Sequence, residues 1–207
     1  MLSDILPTGF ECGVLNGKVA PGSTVAIVGA GPIGLAALLT AQLYSPAEII
    51  MIDLDDNRLD VARRFGATHA INSAAANAVE RVSALTGGRG VDAAIEAVGV
   101  PATFQFCEDL VAPCGVITNI GVHGRAVELH LEALWSRNIA ITTRLVDTAT
   151  TPMLLKTVQS GKIDPSRLIA HRFTLDQILD AYDTFGRAAE TRALKVIINA
   201  GPTSSAG

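Results

Sequence analysis

The chain has 207 residues with a net charge of −4, and hydrophobic residues make up 49% of it against 17% charged, which is typical of a globular protein. A mild negative charge without basic blocks argues against a nucleic-acid partner. No apolar run reaches the roughly 20 residues of a membrane span, and the amino end lacks the features of a secretory signal, so we expect no membrane association and a cytoplasmic location.

Near-continuously apolar, β-branched runs alternate with amphipathic stretches along the first 150 residues. This pattern predicts an α/β protein with a doubly wound six-stranded parallel sheet, the Rossmann fold. The predicted strands are residues 24–28, 49–53, 69–72, 91–96, 115–120 and 138–143. The predicted helices are residues 32–44, 57–65, 75–85 and 101–110, and Gly66 follows the second helix where a left-handed cap favours glycine.

The pattern changes after Thr150. A helix over residues 152–160 is followed by a turn, and Thr174 and Gln177 form a capping box that opens a helix over residues 175–185. A last apolar strand covers residues 194–198. We expect residues 1–20 to be a linker helix, 21–150 the Rossmann domain, 151–200 a carboxy-terminal segment and 201–207 a frayed tail.

The first strand runs directly into residues 29–34, GAGPIG, which match G-x-G-x-x-G and open a helix. Gly29 would form the tight turn, Gly31 would let the backbone approach a pyrophosphate, and Gly34 would let the helix pack closely on the strand. Pro32 lies in the same turn and is predicted, with these glycines, to bind the cofactor. The alternative, a glycine turn kept for packing alone, is less favoured because of the residue that ends the second strand.

That residue is Asp53, 19 residues after Gly34, where a carboxylate should accept hydrogen bonds from an adenosine ribose. A carboxylate would repel a 2′-phosphate, so NAD is favoured over NADP. Arg58 leaves this choice open, since it could flank the ribose, contact a phosphate, or be a solvated charge in the first turn of a helix.

With these features in place, the sequence resembles the NAD-binding, carboxy-terminal half of zinc-dependent medium-chain alcohol dehydrogenases. The segments that carry the resemblance are residues 21–25 (PGSTV), Asp53 with Arg58, residues 64–68 (RFGAT), 90–92 (GVD), 96–99 (EAVG), and Gly115 leading to residues 119–121 (NIG). Their order and spacing together are specific, and they span nearly the whole chain.

Asp4 lies four residues before the pair Thr8-Gly9. This spacing is similar to a branch of secondary-alcohol and formaldehyde dehydrogenases, in which the resemblance implies that an aspartate is the third protein ligand of the catalytic zinc. Zinc accepts carboxylate oxygen. The alternative is that Asp4 caps a short helix.

The resemblance also implies which residues face the cofactor. Ile33 would lie behind the nicotinamide ring, Gly121 and Val122 along it, and Thr8 would present its face, while Lys195 matches a basic residue on the pyrophosphate. For each of these the alternative is ordinary packing or a solvated side chain.

The other zinc ligands of the family come from an amino-terminal β-barrel domain that this sequence does not contain. No two histidines have the i, i+4 spacing of a metal site on a helix. We therefore interpret the histidines as surface or packing residues; they are His69, His123, His130 and His171. Trp135 has no predicted role. The cysteines lack C-x-x-C spacing and are expected to be buried thiols; they are Cys12, Cys107 and Cys114.

The implied complete enzyme transfers a hydride between a small alcohol or aldehyde hydrate and NAD, with zinc as Lewis acid, and residues 151–200 return toward the catalytic domain. The resemblance also implies that the sixth strand pairs with its symmetry mate in a homodimer or higher homo-oligomer, and its apolar, β-branched residues suit such pairing. Three alternatives remain: a non-catalytic NAD-binding module or remnant, a Rossmann-like methyltransferase, and a zinc-free quinone reductase relative.

Overall fold

A computed structural model describes residues 1–74 and 77–201, and six of their strands form one parallel sheet. These strands are β1 (Thr24–Val28), β2 (Glu48–Asp53), β3 (His69–Asn72), β4 (Val91–Glu96), β5 (Val111–Asn119) and β6 (Ala140–Thr143). Their spatial order is β3-β2-β1-β4-β5-β6. The order reverses between β1 and β4, which opens a crevice beyond the carboxyl ends of these two strands. The predicted doubly wound sheet is confirmed.

Helices precede, connect and follow the strands of this sheet. They are α1 (Ile5–Pro7), α2 (Pro32–Ala41), α3 (Asp56–Phe65), α4 (Ala78–Leu85), α5 (Pro101–Leu110), α6 (Leu131–Leu134) and α7 (Thr151–Gln159). A 3₁₀ turn over Gln42–Tyr44 extends α2 to the predicted end. Gly66 ends α3 with φ of 105°, the left-handed conformation that the sequence predicted. Positions 75 and 76, where we expected the helix over residues 75–85 to begin, lie outside the described residues.

Both faces of the sheet are covered, which is why its strands are apolar at consecutive positions. Val25, Ala26, Ile27 and Val28 of β1 are all buried, and β2 is buried from Ile49 to Ile52. One core cluster joins β1 and β2 to residues of α4 and α5. This core fixes the carboxyl ends of the strands.

The fifth and sixth strands differ from their predicted bounds. β5 begins at Val111, four residues earlier than expected, because its pairing with β4 shifts register between Val91 and Ala93. Cys114 lies in this irregular stretch with φ of 64° and is exposed, so the expectation that all three cysteines are buried is wrong for this one. β6 begins at Ala140 rather than 138, since Asn138 adopts a left-handed conformation that ends the preceding turn.

The amino-terminal segment is helical, but most of it is a π-helix, Thr8–Leu15, that directly follows α1. Two glycines allow it to approach its neighbours closely: a Cβ on Gly9 would lie 2.6 Å from the backbone nitrogen of Ala37, and one on Gly13 would lie 2.9 Å from Ile120. We attribute the wider helix to this packing. Such segments are rare and occur often at functional sites.

The chain divides into two compact units, Met1–Ile163 and a second unit that begins at Asp164. The second unit contains β7 (Ile169–Thr174), α8 (Ile178–Gly186), the short α9 (Ala188–Thr191) and β8 (Lys195–Asn199). β7 pairs in parallel with β8, and α8 contacts both strands. The sequence analysis missed β7, whose alternating exposure lacks a continuous apolar run. Beyond Gly201, the predicted tail lies outside the described residues.

The described residues include no helix that is long and apolar enough to span a membrane.

Candidate functional site at the carboxyl edge of the sheet

The glycine turn between β1 and α2 is determined by steric limits at two of its three glycines. Gly29 has φ of 106°, and a Cβ there would lie 2.7 Å from the Val98 side chain. A Cβ on Gly34 would lie 1.8 Å from the carbonyl oxygen of Gly29, a distance that no side chain tolerates. A Cβ on Gly31 would meet no described atom within 4 Å. The turn is therefore tight on its inner side and open at Gly31.

The first turn of α2 faces this open side. Its N-cap is Gly31, which has no side chain to accept a hydrogen bond from the first amides of the helix. Pro32 at the first helical position has no N–H that needs a partner. The amide of Leu35 donates to the Gly31 carbonyl at 2.9 Å, which starts the helix. Ile33 is half-buried beside this end. A helix N-terminus with no side chain capping it can bind an anionic group through its amides and its dipole.

Asp53 ends β2 and contacts the glycine turn directly. Its Oδ2 accepts a hydrogen bond from the Ala30 amide at 2.6 Å, and its Oδ1 accepts one from the Asp55 amide at 2.9 Å. Each carboxylate oxygen can accept more than one hydrogen bond. The side chain is half-exposed, so both oxygens can still accept a hydroxyl from the solvent side.

Arg58 lies in the first turns of α3. Its Nε is 3.9 Å from Oδ2 of Asp55, the residue that caps α3 by accepting a hydrogen bond from the Asn57 amide at 2.8 Å. Within the described part of the chain that Nε makes no hydrogen bond. The arginine is therefore close to the acidic end of β2, and its three sequence interpretations stay open.

Gly121 and Val122 follow β5 at the same edge. The Val122 side chain is 91% exposed. Gly121 packs so tightly that a Cβ on it would lie 2.2 Å from the amide nitrogen of Gly99 and 2.3 Å from Oε2 of Glu96. An exposed apolar side chain on such a firmly packed backbone is suited to contact a flat ligand.

The sequence analysis assigned no role to Glu96, the polar residue that ends β4 and connects these loops. Its side chain is fully buried, and Oε1 accepts hydrogen bonds from the amides of Val98 and Gly99, each at 2.9 Å, and from the Thr103 hydroxyl at 2.7 Å. Burial raises the pKa of the neighbouring Cys107 thiol well above its usual range, and the Glu96 carboxylate raises it further. A glutamate at the end of an apolar strand was the signal that could have identified it.

A second buried carboxylate, Glu11 in the π-helix, was also missed. It accepts hydrogen bonds from the amide and hydroxyl of Thr150, at 2.9 and 2.6 Å, and from the Asp147 amide at 3.3 Å, and Arg144 lies 3.7 Å away. These contacts attach the segment after β6 to the segment that contains Thr8.

Asp4 and Thr8 lie together at the amino end. The Thr8 hydroxyl donates to Oδ1 of Asp4 at 3.1 Å. Asp4 is exposed and precedes α1, but its carboxylate accepts no hydrogen bond from the first amides of that helix. No group of three potential metal-ligating side chains occurs among the residues described. Asp4 could therefore supply one ligand of a metal ion, but the described side chains do not complete a site.

The histidines lie on different elements, each with its own neighbour. His69 is 3.0 Å from Glu48, and His130 is 2.7 Å from Glu108. His123 is 2.7 Å from Oδ1 of Asn119. In the second unit, His171 stacks on Phe173, and Lys195 begins β8.

The parallel sheet with its glycine turn and acidic strand tip defines the class, an α/β protein with the Rossmann fold. A family model described as zinc-binding dehydrogenase matches residues 32–160. An alcohol dehydrogenase of Cupriavidus necator is 37% identical over 205 residues, which cover 96% of this chain and 55% of that protein. A sorbitol dehydrogenase of Bacillus subtilis is 34% identical over 167 residues, covering 80% and 47%.

Solved structures agree with these matches. Zinc-dependent alcohol dehydrogenase 2 from Streptococcus pneumonia, in its apo form, is 55% identical with a TM-score of 0.91 over 96% of this chain and 58% of that chain. The alcohol dehydrogenase TADH from Thermus sp. ATN1 is 31% identical with a TM-score of 0.89 over 96% and 57%. The chain belongs to the zinc-binding dehydrogenase family, which confirms the resemblance seen in the sequence. It spans about half the length of the curated relatives it matches.

Proposed function

We propose that this chain is the NAD-binding portion of a zinc-dependent alcohol dehydrogenase. One observation carries the proposal: the Ala30 amide in the glycine turn donates a hydrogen bond to Oδ2 of Asp53 at 2.6 Å. It holds a carboxylate beside an open helix N-terminus, so that one edge offers acceptors for a ribose and amide donors for a pyrophosphate. Residues 21–150 would form this dinucleotide-binding domain.

NAD is favoured over NADP for an electrostatic reason. Both oxygens of Asp53 already accept a backbone N–H, which holds the carboxylate at the tip of β2. A ribose 2′-hydroxyl can donate to this carboxylate, whereas a 2′-phosphate would face it with like charge. The Arg58 guanidinium lies 3.9 Å from the Asp55 carboxylate, so its positive charge is partly offset.

The nicotinamide half of the cofactor would lie on apolar residues of the first unit. Ile33 would support one side of the ring, Gly121 and the exposed Val122 would lie along it, and Thr8 would present its face. NAD supplies the hydride chemistry when it is bound, and these residues would only orient it.

In the complete enzyme Asp4 would supply one carboxylate oxygen to zinc, with its orientation held by the Thr8 hydroxyl. The remaining ligands would come from outside this chain. The zinc ion polarises the oxygen of a small alcohol or aldehyde when it is bound. Residues 151–200 would return toward the catalytic domain, and the protein would work in the cytoplasm as a homodimer or higher homo-oligomer.

Calorimetric titration of the 207-residue chain with NAD and with NADP tests the proposal. We expect NAD to bind more tightly. Replacing Asp53 by Asn should cost about 1.5–3 kcal/mol of NAD affinity, the range for hydrogen bonds to a charged group, and should reduce the preference over NADP. Asp60→Asn is the matched control, because Asp60 is an exposed aspartate that pairs with Arg63 on α3. Equal affinity for both cofactors in the unaltered chain would contradict the assignment.

A further inference from the structure

The Glu96 carboxylate is buried in an asymmetric environment. Oε1 accepts three hydrogen bonds, whereas Oε2 accepts none from the described residues. A buried carboxylate oxygen without a donor is costly. Nε2 of His123 lies 3.4 Å from Oε2.

The hydrogen bonds of Asn119 determine which nitrogen of His123 carries a proton. The Asn119 amide nitrogen donates to the Gly121 carbonyl at 2.8 Å, so its Oδ1 is the acceptor that faces His123 Nε2 at 2.7 Å. Nε2 is therefore protonated and lies between two oxygens, those of Asn119 and Glu96. Phe104 packs edge-on against the imidazole at a centroid distance of 6.3 Å, which fixes the ring in this orientation.

The same residues hold the backbone after β5. The amides of Ile120 and Gly121 donate to the Glu96 carbonyl at 2.8 and 3.2 Å. A Cβ on Gly99 would lie 2.5 Å from the Val122 carbonyl oxygen, so the two loops are in direct contact. The backbone at Gly121 and Val122 is thus fixed from the inside, while the Val122 side chain faces outward.

We propose that Glu96 and His123 are positioning residues for the nicotinamide half of the dinucleotide. This inference rests on the proposed function. Neither side chain would touch the cofactor; the imidazole N–H, which donates to Asn119 and lies 3.4 Å from Oε2 of Glu96, would fix the loop that presents Val122. The adenosine half, bound through Asp53 and the glycine turn, would not depend on this contact.

Comparison of NAD with ADP-ribose, which lacks the nicotinamide, separates the two halves. We expect His123→Leu in the 207-residue chain to weaken NAD binding by about tenfold, equivalent to one hydrogen bond, and to leave ADP-ribose affinity within about twofold. His123→Gln keeps an N–H donor and should restore most of the NAD affinity. His69→Leu is the matched control, because His69 faces Glu48 at the opposite edge of the sheet, and it should change neither affinity.

Equal weakening of both ligands by His123→Leu would indicate a purely structural role and would overturn the inference, as would unchanged binding of both. Circular dichroism of each variant verifies folding. If His123→Leu does not fold, Glu96→Gln provides the same comparison, because it retains an acceptor for the three donors but removes the charge that faces Nε2. If the unaltered chain binds neither ligand, the proposed function fails and this inference with it; normal ADP-ribose binding without the difference refutes the inference alone.

Discussion

At the scale of single residues, buried carboxylates organise the loops of the first unit. In the part of the chain that the structure describes, the buried glutamates are Glu11, Glu96 and Glu108. Glu11 and Glu108 accept hydrogen bonds from segments remote in the chain, and Glu96 accepts them from the residues that follow its own strand. Such bonds are costly to break because they leave buried groups unsatisfied. Their common role is to hold an irregular segment against a regular element.

Glu108 on α5 gives this arrangement a pH dependence. Its carboxylate accepts hydrogen bonds from the His130 ring at 2.7 Å and from the His130 amide at 3.3 Å. The hydrogen bond to Glu108 raises the pKa of His130 above its usual 6.5, and the charges of nearby glutamates add to the effect. The folded chain therefore holds this proton more tightly than the unfolded chain does.

The stabilisation by protonated His130 should be complete below the unfolded pKa of about 6.5 and should disappear as the pH rises through the raised folded value. We expect His130→Asn to lower the free energy of unfolding more at about pH 5.5 than at about pH 8.5. Urea unfolding across this range is the measurement. In a Glu108→Gln background the pH dependence should be much smaller, and an effect that grows with pH would contradict the prediction.

At the scale of elements, the π-helix is connected to the segment after β6 by Glu11. The amide and hydroxyl of Thr150 and the Asp147 amide all donate to a carboxylate that is fully buried. Since Thr151 also donates to the Leu2 carbonyl at 3.1 Å, the start of α7 is attached to the amino end twice.

We expect Glu11→Gln to destabilise the chain by about 1–3 kcal/mol, because its amide NH₂ would face donors that now have an acceptor. Denaturant unfolding measures this loss, and hydrogen exchange at the Thr150 amide should accelerate. Glu132→Gln is the control, since Glu132 is exposed on α6 and such changes usually lie within about 0.5 kcal/mol. Equal stability of Glu11→Gln and the unaltered chain would show that the contact contributes nothing.

Most of the sheet could be predicted from the sequence because its strands are apolar on both faces. The glycine turn was equally readable, since only glycine permits the contacts at Gly29 and Gly34. β7 was missed because its exposure alternates. The roles of Glu11 and Glu96 could not be predicted, because their donors are either far away in the chain or depend on loop conformations that no local pattern specifies.

At the scale of the whole molecule, β6 is the last strand of the sheet order, and one of its edges has no described neighbour. Ile141 is 38% exposed on this strand. An exposed edge with β-branched residues tends to pair with another strand. A homodimer that continues the sheet through β6 would cover it.

We expect light scattering to give a dimeric mass at micromolar concentration. Ile141→Lys should give monomers, because edge lysines oppose strand pairing. Ala70→Lys on β3, at the opposite edge, is the control and should remain dimeric. A monomeric mass for the unaltered chain would refute this interface.

The last prediction concerns turnover by the chain itself. A catalytic zinc usually has three protein ligands and an open position, and the described residues provide no group of three, with Asp4 alone in a matching context. We therefore expect the 207-residue chain to bind NAD without measurable alcohol oxidation or stoichiometric zinc. Adding the amino-terminal half of a family member, fused or co-expressed, should restore both zinc and oxidation. Asp4→Ala should then abolish both, whereas Asp60→Ala should not. Stoichiometric zinc together with robust alcohol oxidation by the chain alone would disprove this division of the active site, because the metal would then need ligands that the described side chains do not bring together.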